Sequence, residues 1–317
     1  MNQEKILITG ANGQIGTVLT EALQERYGVD NVIATDLRQP EHQQGIFEVL
    51  NVLDGEKMDH LVQKYNVTQI YHLAAILSAS GEKDPRGTWK INMDGLFNVL
   101  DTAKNRNVSK IFFPSSIAVF GKDTPREFTP QNTVMLPTTV YGISKVAGEL
   151  WGQYYFEKYG LDVRSIRYPG IIGYQSLPGG GTTDYAVDIY HKAVKGEHFS
   201  CFLKEGTTLP MIYMPDAIRA TIELMEAPAE KITVRTSYNL AGMSFAPEEI
   251  AEAIQRNILS FQVSYDPDPL RQSIAESWSA SIDDNQAKQD WGWQPEYDLE
   301  TMTRDMIMNL EKKYAVV

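Results

Sequence analysis

Short apolar runs alternate with helical stretches through the first half of the chain, and no other feature restricts the fold as much. The apolar runs are residues 5–9, 31–35, 45–49, 69–73, 110–114 and 162–168. Helical patterns cover 15–27, 54–65, 89–106 and 141–158 between them. Strands separated by helices predict βαβ units and a parallel sheet. Six such strands suit an α/β fold with a doubly wound parallel sheet. Neither a helix bundle nor a β-sandwich produces this order.

The second half is less regular. Residues 177–183 (LPGGGTT) read as a loop. Helices are expected over 184–195, 216–225, 247–257 and 299–314, strands over 209–213 and 237–240, and a turn over 266–270 (DPDPL). The pattern predicts a first unit of residues 1–172, rejoined by 206–245. A smaller C-terminal substrate-binding lobe would comprise 173–205 and 246–317. No Ser/Gly linker separates the two, so a cleft between packed halves is expected.

Composition excludes several functions. The net charge is −12, nine units of it after residue 150. An acidic chain without a Lys/Arg cluster repels nucleic acid and anionic lipid, so neither is expected as a partner. No apolar run reaches the ~18 residues of a membrane span. The opening MNQEKILITG runs into a strand pattern without a basic lead, which predicts no export signal and a cytoplasmic location. Cys201 is the sole cysteine, and the five His are scattered. That excludes a disulfide framework and provides no metal-ligand spacing.

Between the first strand and first helix stand Gly10, Gly13 and Gly16. Glycines spaced by three let the backbone turn tightly and approach a pyrophosphate, with the helix N–H groups aimed at it; a simple tight turn is the competing reading. Asp36 closes the second strand, twenty residues past Gly16. A carboxylate there accepts hydrogen bonds from adenosine ribose hydroxyls and repels a 2′-phosphate, favouring NAD over NADP. Arg38, two residues on, weighs the other way.

Tyr141 and Lys145 are four residues apart and share a helix face. An ammonium beside a phenol is expected to lower its pKa and make it a usable base. Ser115 and Ser116 end the fifth strand, where a hydroxyl can orient a substrate oxygen beside the tyrosine.

The segments ITGANGQIG and His72-Leu73-Ala74-Ala75, then Asn92, Ser115-Ser116 and Tyr141 with Lys145, together resemble the extended short-chain dehydrogenase/reductase superfamily over the first ~170 residues. The resemblance implies a Rossmann fold and NAD held by Gly10, Asn12, Gly13, Gln14, Ile15, Asp36, Leu37, Arg38, Asn51, Val52, Leu73, Ala74, Ala75, Asn92, Tyr141, Lys145 and Ile171. It places catalytic roles on Ser116, Tyr141 and Lys145. Dehydratases of the superfamily carry an Asp-Glu pair after the serine of strand five. Ile117 and Ala118 stand here instead, which disfavours dehydration and leaves epimerisation open.

The loop 179–184 offers bare backbone N–H groups, the hydroxyls of Thr182 and Thr183, and Asp184, parts that suit a small zwitterion. The alternative is a flexible turn with Asp184 capping the next helix. Residues 179–185, 208–217, 276–278, 282–284 and 290–293 resemble the metal-free, short-chain L-threonine 3-dehydrogenases. That likeness implies oxidation of the L-threonine C3 hydroxyl to 2-amino-3-oxobutanoate. Tyr141 would serve as base, Lys145 would depress its pKa and hold the nicotinamide ribose, and Ser116 would bond the reacting oxygen. The expected substrate contacts are Ser78, Ser80, Ser116, Tyr141, Gly181, Thr182, Thr183, Asp184 and Trp278; Trp278 reads equally as a core residue. A nucleotide-sugar 4-epimerase retaining NAD is the alternative activity, and an NAD-sensing protein the non-enzymatic one. The resemblance also implies a homodimer through the helices over 89–106 and 141–158. Leu150, Trp151, Tyr154, Tyr155 and Tyr159 suit an interface or a core.

Overall fold

Every side chain of β1 (Ile6–Thr9) is buried, as a strand covered on both faces requires. The structure, a computed structural model, describes residues 4–41, 44–179 and 181–315. The first half continues through α1 (Gln14–Tyr27), β2 (Val32–Asp36), β3 (Ile46–Val49), α2 (Gly55–Tyr65), β4 (Gln69–His72), a short α3 (Ser78–Gly81), α4 (Pro85–Arg106), β5 (Lys110–Ser116), α5 (Val140–Tyr159) and β6 (Asp162–Tyr168). The second half holds β7 (Gly170–Ile172), α6 (Tyr185–Val194), β8 (Phe199–Cys201), β9 (Leu209–Tyr213), α7 (Met214–Glu226), β10 (Tyr238–Asn239), β11 (Met243–Phe245), α8 (Pro247–Gln255), β12 (Val263–Tyr265), α9 (Pro269–Ser277), α10 (Asn285–Trp291) and α11 (Leu299–Ala315).

The main sheet has seven strands in the order β10-β6-β5-β4-β1-β2-β3, all parallel. β10 extends the six expected strands by one. β9 pairs instead with β7 and β11 in a separate three-stranded sheet. The order reverses at β1, whose Thr9 faces Thr35 of β2 on one side and His72 of β4 on the other. A crevice opens beyond the strand ends at such a reversal.

Local chemistry accounts for the helix boundaries. Asp54 caps α2 by accepting from Lys57 N–H at 2.9 Å, Asp84 caps α4 through Gly87 N–H at 3.0 Å, and Thr139 caps α5 through Gly142 N–H at 3.1 Å. The N-cap of α1 is Gly13, which has no side chain to cap it. Its first-turn N–H groups are therefore open to an anion from outside. The DPDPL stretch is a helix start rather than the expected turn. Asp268 accepts from Arg271 N–H at 2.8 Å and Pro269 takes the first helical position of α9, which suits proline's fixed φ.

Apolar residues bury in three groups. α1 and α7 cover one sheet face through Leu19, Leu23, Ala217 and Leu224, joined by Ala287 and Trp293. α2, α4 and α5 cover the other through Leu61, Leu96, Leu100 and Tyr155. The third packs α6, α8, α9 and α11 around Tyr185, Tyr190, Ile250, Ile274 and Met306.

Candidate active site

A cavity of about 240 Å³ lies beyond the ends of β1, β4, β5 and β6. Gly10, Gly13, Gln14 and Ile15 line it from the first turn, Leu73, Ala75 and Ser78 from the segment after β4, and Ser116 from the end of β5. Tyr141 and Lys145 reach it from α5, and Ile171 from β7. Gly181, Thr182, Thr183, Asp184 and Trp278 close it from the second half. Gly180 lies outside the described residues.

Close backbone approach shapes both ends. A Cβ on Gly16 would sit 2.2 Å from the Gly10 carbonyl oxygen, so only glycine lets α1 fold back onto its own turn. A Cβ on Gly142 would sit 2.2 Å from the Ala118 carbonyl oxygen. That glycine lets α5 press against the turn after Ser116 and brings Tyr141 beside it. Burial pushes the Tyr141 phenol up to about 12, against the smaller opposing influence of the neighbouring Ser116 hydroxyl. This corrects the expected lowering by Lys145. The Lys145 ammonium donates to the Pro114 carbonyl at 2.6 Å and stands 5.4 Å from the centre of the Tyr141 ring. Lys145 is 4 % exposed, and burial pulls it down to about 7 against the attraction of Glu149.

Thr182 is 1 % exposed, and its hydroxyl has no partner although it lines the cavity. An orphan buried hydroxyl facing an open site fits a polar ligand group. Asp184 accepts from Gly181 N–H at 2.7 Å, holding the glycine loop closed. It lines the cavity and makes no side-chain cap to α6, so the helix-cap alternative does not hold.

Several expected residues lie off the cavity. Asp36 accepts from Asn12 N–H at 3.0 Å and Leu37 N–H at 2.7 Å, and the Asn12 amide donates to the Arg38 carbonyl at 2.7 Å. These four form a rim cluster beside the glycine turn. The Leu50 N–H bonds the Asp36 carbonyl at 2.8 Å and draws exposed Asn51 alongside. Val52 is instead a core residue against Gly95. Ala74 packs against Gly10. Asn92 does not reach the cavity: its amide accepts from Ile76 N–H at 2.8 Å and donates to the Ile76 carbonyl at 3.1 Å and Ser144 hydroxyl at 3.2 Å. It clasps the loop after β4 to α5. Ser80 is exposed and bonds the Leu77 carbonyl at 3.2 Å. Trp278 both lines the cavity and joins the apolar core of the second half.

Sequence reasoning missed Leu77, Pro114, Ile117 and the Pro169–Gly170 corner as lining residues. It also missed the buried pair of Glu149 and Arg167. The spacing of Tyr141, Lys145 and Glu149 at intervals of four was the available signal. Among the described residues, no group of three or more His, Cys, Asp or Glu is placed to hold a metal, and no helix is long and apolar enough to cross a membrane.

The glycine turn, the uncapped start of α1 and the Asp36 carboxylate fit a dinucleotide carrying free ribose hydroxyls. Comparisons with known proteins agree. A GalE-like L-threonine dehydrogenase from Cupriavidus necator, in its holo form, superposes with a TM-score of 0.95 at 56 % identity, over 96 % of this chain and 99 % of that one. A monomeric L-threonine 3-dehydrogenase from a metagenome superposes with a TM-score of 0.94 at 50 % identity, over 97 % and 99 %. An uncharacterized epimerase/dehydratase of Staphylococcus aureus is 50 % identical over 99 % of this chain and 98 % of its own length. The model of the NAD-dependent epimerase/dehydratase family matches residues 6–241, and the chain belongs to that family.

Proposed function

We propose that this chain is an NAD-dependent L-threonine 3-dehydrogenase, oxidising the C3 hydroxyl to give 2-amino-3-oxobutanoate. The observation that carries the reading is the grouping of Ser116, Tyr141 and Lys145 on a small cavity closed by Thr182, Thr183 and Trp278. The similar solved structures bearing that activity's name span nearly the whole chain. A nucleotide-sugar needs cations for its diphosphate. Lys145 is the only cation lining the cavity among the described residues, and it faces Tyr141. This opposes the epimerase alternative.

Gly10, Gly13, Gln14, Ile15 and Asp36 would hold NAD, with Lys145 at the nicotinamide ribose. NAD, when bound, supplies the hydride acceptor and a positive ring. Ser116 bonds the substrate C3 oxygen and orients its proton toward Tyr141. Tyr141, as phenolate, takes that proton. Lys145 stabilises the phenolate charge. Thr182 and Thr183 hold the amino-acid end with hydroxyls, Ser78 lines the opposite wall, and Asp184 keeps the loop in place through Gly181.

The reading divides the chain into an NAD-binding unit, residues 1–172 with 206–245, and a substrate lobe, 173–205 with 246–317. It places the enzyme in the cytoplasm. It also makes the enzyme a homodimer, unlike the monomeric metagenomic relative. Trp89, Ile143, Leu150, Trp151 and Tyr154 are exposed on α4 and α5, and light scattering that returns a monomer mass removes that part.

The deciding experiment is NADH formation from NAD and L-threonine, with allo-threonine, L-serine and NADP as controls. NADH from L-threonine and NAD, with little from the controls, is the expected result. No turnover, with isomerisation of a nucleotide-sugar, overturns the reading.

A further inference from the structure

The catalytic group leaves a buried ion pair without a role. Glu149 lies one helical turn beyond Lys145, and Tyr141, Lys145 and Glu149 make one stripe along α5. Glu149 is fully buried and Arg167, on β6, is 3 % exposed. Arg167 Nε and Nη2 donate to the two carboxylate oxygens at 2.9 and 2.8 Å. The Ser115 hydroxyl donates to the same carboxylate at 2.5 Å. Arg167 Nη1 donates to the Gln131 carbonyl at 2.9 Å and the Asn239 amide oxygen at 3.1 Å. Asn239 in turn donates to the carbonyls of Thr129 and Asp283 at 3.0 and 3.1 Å.

Stability does not account for such a pair. Burying two charges is costly, and well-packed apolar replacements are often as stable. Position accounts for it better. The groups facing Lys145 are Tyr141 and Glu149 from α5, neutral His72 from β4, and the Pro114 carbonyl and the Phe113 ring from β5, while Arg167 on β6 pairs with Glu149. Glu149 is the one carboxylate among them. It is also hydrogen-bonded to Ser115, the neighbour of Ser116.

We propose that the Glu149–Arg167 pair is a positioning element of the active site, with its carboxylate end keeping Lys145 charged and fixed behind Tyr141. The inference rests on the reading that Lys145 serves Tyr141. Burial works against the Lys145 ammonium, and Glu149 is the group that opposes it. Arg167 compensates the carboxylate and ties it to the segment around Asp283, which leads back to Trp278 over the cavity. Without Glu149 the buried Arg167 would be left as a bare guanidinium, and Lys145 would lose the carboxylate that opposes its burial. The ammonium would then be lost at lower pH.

The test compares Glu149→Gln with the double variant Glu149→Gln/Arg167→Gln across pH. A lysine that must stay protonated sets the alkaline limb of kcat. That limb should move down by about 1 pH unit or more in Glu149→Gln and by less in the double variant, which lacks the bare guanidinium. The KM for NAD should change less than kcat. A kcat lowered by one factor at every pH, with the limb unmoved in both variants, overturns the proposal and leaves a structural role. Where the single variant does not fold, the double variant carries the measurement, since both of its amides can hydrogen-bond. NADH binding followed by fluorescence gives a readout independent of threonine. Its alkaline limb should move in the same order, even if another substrate proves correct, and an unmoved binding profile also overturns the inference.

Discussion

His72 should make the protein lose stability in mild acid, and replacing it should remove that loss. It ends β4, is 2 % exposed, shares a 2.8 Å hydrogen bond between its Nδ1 and the Thr9 hydroxyl, and stacks near the Phe113 ring. Burial first, then the Lys145 charge, lowers its pKa to about 3. In the unfolded chain the imidazole titrates near ~6.5. The folded pKa is thus depressed, so the contribution is complete above the unfolded value and is lost as pH falls toward the folded one. At about pH 5.5 the unfolded state has bound most of one proton that the folded state has not, worth about 1.4 kcal/mol relative to about pH 8. The assay is urea unfolding of the parent and His72→Asn at both pH values. Asparagine keeps a hydrogen-bonding group near the Nδ1 position and removes the titration. The parent should lose about 1.4 kcal/mol more than the variant between the two conditions. Equal losses, or a folded-state His72 resonance titrating near ~6.5, would refute the argument.

Two further outcomes follow from the site. Tyr141→Phe removes the proposed base and should cut kcat by roughly 10²–10⁴ while leaving the KM for NAD within a few-fold; steady-state kinetics with L-threonine checks this, and parent-like kcat removes the tyrosine from the mechanism. Asp36→Asn takes away a carboxylate that also holds Asn12 and Leu37 N–H. NAD affinity should fall by about tenfold, and the preference over NADP should shrink; unchanged affinities for both cofactors mean that Asp36 only shapes the turn.

How far the site was legible depended on where its information resides. β1, β2 and β4 are buried along almost their whole length, so each leaves a short apolar run, whereas the edge strand β3 is only partly buried and β6 carries Arg164 and Arg167 inside the sheet. The glycine turn, Ser116 and Tyr141 with Lys145 are local motifs whose residues act within a turn or two of one another. The three-residue strands β7, β8, β11 and β12 are too short to leave a period. The Asp-Pro pair of α9 marks a turn and a capped helix start equally well before packing decides. Asn92 illustrates a different limit: position along α4 carries it to the active-site side, yet its amide is consumed by Ile76 and Ser144.

Charge was the least legible property. An (i, i+4) Tyr-Lys pair predicts a lowered phenol pKa, and the structure raises it because desolvation exceeds the favourable influence of the Ser116 hydroxyl. Desolvation depends on everything packed around the ring, including the turn against Gly142 and the lobe beneath Trp278, none of it local to Tyr141. The same holds for Lys145, whose charge state is contested between burial and a carboxylate that is itself held by an arginine eighteen residues away. A sequence motif can therefore nominate the acid–base pair, but its protonation is a property of the assembled sheet. The phenolate has to be drawn out by charges placed beside it, and among the described residues Lys145 is the single cation lining the cavity beside it. On the proposed reading the support behind Lys145 is part of the chemistry: a change at Glu149 acts on the Lys145 ammonium, and through it on the phenolate that Tyr141 must become.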